Sequence, residues 1–285
     1  MAVQKFIDKW LFYRQDLNRR IDHLLLTFWR HIYEMFAFCG KATIFFLESL
    51  RLAFSRPYRI GEMIKHMEFV GNRSILIIAL TGLFTGLALS YQIYLGFSLV
   101  NATNLVGPTV ALGITRELGP VLTGLIVSAR AGGAMAARLG TMRVSEQIDA
   151  LEVMGLNPKQ YLVSPRIIAA VLAMPLLCGV FDFVAMAGAQ FLCIHVLNLD
   201  EAIFWDKITL WIDPGDINEG LFKAGVFGMV FAAVCTYMGF NTTGGAKGVG
   251  EATNKGVVYS MVLIICTNFF MTNLIRFYYG LMGID

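Results

Sequence analysis

Five uninterrupted apolar stretches, at 74–96, 109–136, 167–197, 221–240 and 257–280, run through this chain. Each is near the about 20 residues that an α-helix needs to cross a bilayer. Of its 285 residues, 56% are hydrophobic and 15% charged, against about 45–50% and about 25% in an ordinary soluble domain. That much apolar surface cannot be hidden in a water-soluble fold, so the sequence predicts an all-α integral membrane protein with five transmembrane helices. The 28 glycines suit such a bundle, because small residues let helices approach closely. A net charge of +3 spread over short loops gives no block of basic residues for nucleic acid.

The basic residues read instead as topology signals. Arg56, Arg59, Lys65 and Arg73 precede the first span, and Arg138, Arg143, Lys159 and Arg166 follow the second. The loop at 97–108 has no Lys or Arg, and the one after the third span holds Lys207 among Asp200, Glu201, Asp206, Asp213, Asp216 and Glu219. The positive-inside rule then places the N-terminus in the cytoplasm and the C-terminus on the far side.

Residues 24–54 are apolar but crossed by charges. Glu34, Lys41 and Glu48 recur every seven residues, near one line on a helix whose other faces carry Trp29, Phe36, Phe45, Phe46 and Leu47. The pattern is that of a helix lying in the membrane interface. The alternative, a sixth crossing, pays for mid-helix charges and breaks the loop-charge pattern. Residues 1–23 read as a separate cytoplasmic amphipathic extension and not as a removable signal peptide. Cys39, Cys178, Cys193, Cys235 and Cys266 lie singly in apolar runs, as small core residues do. No GxxxxGK[ST], GxSxG or HExxH occurs, so nothing points to catalysis or to a bound metal or cofactor. The glycine-rich segment 239–256 reads as a flexible cytoplasmic connector.

Three segments carry the functional reading. The loop after the second span contains a short helix at 145–155. Ser145 is its cap, Glu146 and Asp149 fall in or beside its first turn, and Gly155 and Pro158 end it. Val144, Ile148, Leu151 and Met154 or Gly155 recur at helical spacing, so one face is apolar. That face either docks in the groove of a soluble subunit or folds back on the bundle. In the second span, Arg116 and Glu117 are adjacent and cannot pair with each other on a helix. They either find partners or water in a cavity, or snorkel to the interface. Arg130, fourteen residues on, falls on about the Arg116 face of a regular helix. In the first span, Gly82 and Gly86 have small-xxx-small spacing for packing. Leu83, Leu87, Ser90, Tyr91 and Tyr94 form a face apolar below and hydroxyl-bearing above, matching either a lipid or an aromatic belt.

The run from Arg116 to Gly155, RELGPVLTGLIVSARAGGAMAARLGTMRVSEQIDALEVMG, resembles the signature of the MlaE/YrbE family of permeases, the membrane subunits of ABC transporters that work with MCE-domain proteins. The likeness continues through SPRIIAAVLAMPLL at 164–177 and GGAKGVGEATNKGVV at 244–258. It implies a homodimeric, non-catalytic permease in the inner membrane of a Gram-negative bacterium. It further implies a cytoplasmic ABC ATPase dimer carrying ATP and Mg, a periplasmic MCE-domain partner and a phospholipid or similar lipid as cargo. By the same resemblance Ser145, Glu146, Ile148, Asp149, Leu151, Met154 and Gly155 couple to the ATPase. The lipid lies at the dimer interface against Leu83, Leu87, Ser90, Tyr91 and Tyr94, near Arg116 and Glu117. Arg138 departs from the pattern, standing where the family usually has a glutamate. Two other readings remain: an ATPase-independent secondary transporter relaying ions through Arg116, Glu117 and Arg130, and a passive scaffold. No inverted repeat supports the first.

Overall fold

A computed structural model of the chain describes residues 29–30, 33, 37, 40–53, 55 and 59–282. The 1–23 extension, Glu34, Phe36 and Cys39 lie outside the described residues. The chain divides at Leu47/Glu48 into two units. The described residues of 24–54 are helical, and no strand occurs among the described residues.

The second unit is a helical bundle. Five of its helices are long and apolar enough to cross a membrane: α1, Ile60–Ser98; α2, Thr103–Val144; α4, Lys159–Val196; α6, Pro214–Phe240; and α7, Gly245–Met282. Between them lie the short α3, Gln147–Val153, and α5, Glu201–Trp211. All five predicted spans are present, each extended past its apolar stretch. The acidic loop after the third span is itself largely helix. Asp200 caps α5 by accepting from the Ile203 amide, and Asp213 and Asp216 form a capping box at the start of α6. Asp216 and Glu219 therefore belong to the fourth span and not to the loop. The glycine-rich connector also shrinks, because helix resumes at Gly245. Gly244 and Gly245 take positive φ of 88° and 67° at the turn. Beyond them, Gly256 lets α7 lie against Cys235 and Met238 of α6.

The core is built on close backbone approach. On α1 the buried residues are Val70, Ser74, Ile78, Gly82, Gly86 and Ser90, every fourth position. A Cβ on Gly82 would stand 2.9 Å from the Phe181 carbonyl oxygen, and one on Gly86 would stand 2.0 Å from that of Ala185. From the other side, a Cβ on Gly188 would meet the Leu83 carbonyl at 2.9 Å. The packing role predicted for Gly82 and Gly86 holds, with α4 as the partner. Hydroxyls join other pairs: Ser128 of α2 and Ser260 of α7 are 2.5 Å apart, and Ser164 donates to the Ser49 carbonyl at 2.6 Å. Cys178, Cys193 and Cys235 are buried as predicted, but Cys266 is exposed on α7.

Gly86→Ala should lower the melting temperature of the detergent-solubilised protein, by the about 1–3 kcal/mol typical of overpacking. Gly179→Ala, where a Cβ meets nothing within 4 Å, should leave it unchanged. Equal melting of the two variants would show that the α1–α4 contact is slack.

Candidate functional site

Two π-helical turns interrupt α2, at Ile114–Leu118 and Ser128–Gly132. Each widens the helix by about one residue, a device frequent at functional sites. The first turn carries Arg116 and Glu117 and aims both at other helices. Arg116 Nε and Nη2 donate to Asp216 Oδ1 of α6 at 2.9 and 2.5 Å. Glu117 accepts from Asn268 Nδ2 at 2.8 Å and Thr272 Oγ1 at 2.9 Å, both on α7.

Lys223 of α6 completes the cluster. Its side chain is fully buried, and Nζ lies 3.1 Å from Glu117 Oε1 and 2.6 Å from Glu219 Oε1. It also donates to the Arg116 carbonyl and to Thr272 Oγ1, each at 3.0 Å. That carbonyl is available because Pro120, one turn on, has no N–H to offer it. Gly220 allows the approach, since a Cβ there would lie 2.1 Å from the Thr115 carbonyl oxygen. Arg116 and Glu117 are thus neither paired with each other nor snorkelling: each finds partners across the bundle.

Arg130 points elsewhere. Its Nη1 donates to the Phe69 carbonyl at 3.0 Å and to Ser74 Oγ at 2.7 Å, both on α1. The expected shared face with Arg116 fails because counting at 100° per residue assumes an uninterrupted α-helix, and the π turns advance the register. The three residues of the supposed ion relay therefore form two separate sets of contacts.

The first-span face is also divided. Ser90 belongs to the buried stripe, where its Oγ donates to the Gly86 carbonyl at 2.7 Å. Leu83, Leu87 and Tyr94 are half-buried and Tyr91 is exposed. The open surface is a groove of about 770 Å³ rotated by one residue, running past Leu80, Phe84 and Ala88 to Leu118. It reaches α2 at the residue next to Glu117.

At the other end of α2, the predicted short helix is α3. Glu146 is its N-cap with a left-handed φ of 58°, and no side chain caps it. Ser145 Oγ donates instead to the Thr141 carbonyl at 2.8 Å, inside α2, so the predicted serine cap is absent. The left-handed turn at Glu146 takes the chain away from the geometry in which that oxygen could reach the N3 amide. Gly155 ends the helix as predicted, with φ 75°. The Gly155 amide donates to Glu152 and the Leu156 amide to Leu151, a Schellman closure. The apolar face folds back: Ile148 is buried against Leu139 and Leu162, with Leu151 packed on the same cluster. Asp149 pairs with Arg143. Among the residues left in solvent are Glu146, Gln147, Val153, at 90% exposure, and Met154, at 71%.

With this geometry in place, comparison with known proteins is decisive. The sequence profile described as "Permease MlaE" matches residues 63–274. The chain belongs to the MlaE permease family. It is 38% identical over 235 residues, 82% of this chain and 91% of the other, to a protein of Rickettsia bellii named a probable ABC transporter permease protein. It is 32% identical over 211 residues to the intermembrane phospholipid transport system permease protein MlaE of Haemophilus influenzae, covering 74% of this chain and 81% of that one. With protein TRIGALACTOSYLDIACYLGLYCEROL 1, chloroplastic, of Arabidopsis thaliana, identity is 38% over 210 residues, 74% of this chain and 60% of the other. The MlaE match spans all five helices from α1 to most of α7, and the resemblance read from the sequence is borne out.

Lys223, Asp216, Glu219, Asn268 and Thr272 were not singled out as site residues in the sequence. Lys223 had a usable signal, since it stands at the start of a 20-residue apolar stretch, where an unpaired charge is costly. Lys223→Met should destabilise the protein by about 3–5 kcal/mol, as expected when one partner of a buried ionic cluster is removed. Adding Glu117→Gln and Glu219→Gln should recover part of the loss, because the charges left unmatched are then gone. Thermal melting in detergent reads both, and a wild-type melting temperature for Lys223→Met would refute the pairing.

Proposed function

We propose that this permease is the membrane subunit of an ATP-driven lipid transporter. In this reading two copies span the inner membrane with their N-termini in the cytoplasm, and a separate ABC ATPase dimer binds their cytoplasmic side. Phospholipid passes between the membrane and a periplasmic MCE-domain partner. The name of the Haemophilus relative supports phospholipid as cargo, and the permease names of the Rickettsia proteins support an ABC assembly.

The observation that carries the proposal is the construction of α3. One side is anchored to the bundle by Ile148 and Leu151 and by the Arg143–Asp149 pair. The other side presents Val153 and Met154 to solvent beyond the basic ends of α2 and α4. A helix held this way transmits a push instead of absorbing it, because Leu139 of α2 and Leu162 of α4 move with Ile148. α2 carries the displacement on to the π turn at Arg116 and Glu117, beside the α1 groove. ATP closure can shift the bundle only by the difference in its binding energy between the two states, so a stiff contact at this point is required. The permease itself performs no chemistry: it presents a groove to the acyl chains and a polar cluster at its inner end.

Val153→Asp and Met154→Asp should each reduce lipid-stimulated ATP hydrolysis of the reconstituted complex by about tenfold, the effect of losing an interface anchor. Both positions are exposed, so melting of the permease should not change. Leu151→Asp should instead destabilise the chain itself. Full stimulation with both tip variants would remove α3 from the coupling role.

A further inference from the structure

Phe69 of α1 is surrounded by cations. The guanidinium carbons of Arg138, Arg130 and Arg73 lie 4.4, 5.1 and 5.8 Å from its ring centroid. Arg130 is engaged by the α1 backbone and Ser74. Among the described residues Arg73 and Arg138 form no ion pair. By the sum of their distances to the ring, their charged groups lie within about 10 Å of each other. Around them is a cavity of about 210 Å³ lined by Lys65, Glu68, Phe69, Asn72, Arg73 and Arg138. Lys65 is paired with Glu62 at 2.8 Å, and Glu68 is the one carboxylate of the lining. Arginines that serve only as topology signals spread into water. Here they converge on one ring and leave more positive charge than Glu68 alone balances, at the boundary where the apolar part of α1 begins.

The same face of α1 continues from this cavity into the groove. Arg73, Leu76, Leu80 and Phe84 follow at helical spacing, and the last three are 73%, 50% and 65% exposed. From Arg73 to Phe84 is about 16 Å at the helical rise per residue, close to the about 15 Å depth of one leaflet's acyl layer. A headgroup held at Arg73 and Arg138 would thus lay its chains along Leu76, Leu80 and Phe84. They would lead toward Leu118 and the Glu117 cluster.

The geometry points to a receptor for the phosphate of an anionic phospholipid, formed by Arg73 and Arg138 about Phe69 and loaded from the leaflet at the basic end of the bundle. Guanidinium groups suit this ligand because their paired donors match phosphate oxygens, and they favour phosphatidylglycerol over phosphatidylcholine because the quaternary ammonium of choline neutralises the phosphate and is repelled by the same arginines. The inference rests on the lipid-transport reading and adds to it a headgroup preference and a side of loading.

Native mass spectrometry of the purified full-length permease, offered phosphatidylglycerol and phosphatidylcholine in equal amounts, tests it. The wild type should retain phosphatidylglycerol preferentially. Arg73→Gln and Arg138→Gln should each reduce that preference by about fivefold, the worth of one cation near a lipid surface, and Arg138→Glu should abolish it. All three should still carry phosphatidylcholine. Both positions are exposed, and unchanged melting of the variants confirms that folding is intact. An undiminished preference in the variants overturns the receptor while leaving lipid transport standing. Displacement of phosphatidylglycerol by millimolar inorganic phosphate also overturns it, by showing a site for free phosphate. Retention of no lipid by the wild type defeats the receptor and the transport reading together.

Discussion

A buried ammonium survives only where its charge and its three protons are all met, and Lys223 makes that demand at the centre of the bundle. Glu219 answers from one turn earlier on α6, Glu117 and the Arg116 carbonyl from α2, and Thr272 from α7. Three spans are thereby tied at one nitrogen. Several oddities of sequence become intelligible as conditions for that contact. Pro120 frees the carbonyl that the ammonium uses. The π turn rotates two successive side chains toward different helices. Gly220 clears the space in which α6 meets the α2 backbone, and Asp216, turned inward from the capping box, holds Arg116.

The polar cluster and the helix packing have different characters. In lipid, apolar helix faces gain little by meeting one another, so association depends on close contact and on hydrogen bonds between helices. The α1–α4 pair uses the first, through Gly82, Gly86 and Gly188. The α2, α6 and α7 group adds the second to close contacts of its own at Gly220, Gly239 and Gly256, through Lys223 and the Ser128–Ser260 hydroxyls. The α1 groove lies where the two systems meet, with one wall from the close-packed pair and Leu118 from the hydrogen-bonded group. A ligand there touches both, and α3 reaches both from below through Leu139 and Leu162.

Much of this was legible in the residues. Apolar length gave the spans, and Gly155 gave the end of α3. The adjacency of Arg116 and Glu117 required separate partners. What was not legible depended on departures from regular helix. The shared face assigned to Arg116 and Arg130, and the lipid face assigned to Leu83, Leu87, Ser90, Tyr91 and Tyr94, were both obtained by even counting. The π turns separated the first pair, and in the second Ser90 falls in the packing stripe while Leu83, Leu87, Tyr91 and Tyr94 stay at least partly open. Asp216 and Glu219 looked like loop acids because hydropathy locates the apolar part of a helix and not its capped beginning. The fold-back of Ile148 was one of two outcomes open from its spacing, and only the position of Leu162 on a distant span decides between them.

The stripe of every fourth residue on α1 has one more effect. An α-helix repeats every 3.6 residues, so a contact line with a period of four drifts around the axis as it climbs. The drift is visible: Val70 and Ser74 face Arg130 of α2, whereas Gly82 and Gly86 face Phe181 and Ala185 of α4. A period longer than 3.6 winds helices around each other in the right-handed sense. With glycine backbones seated directly on partner carbonyls, α1 cannot slide along this winding or roll across it without collision. Any displacement open to it is that of a screw, in which translation and rotation are coupled.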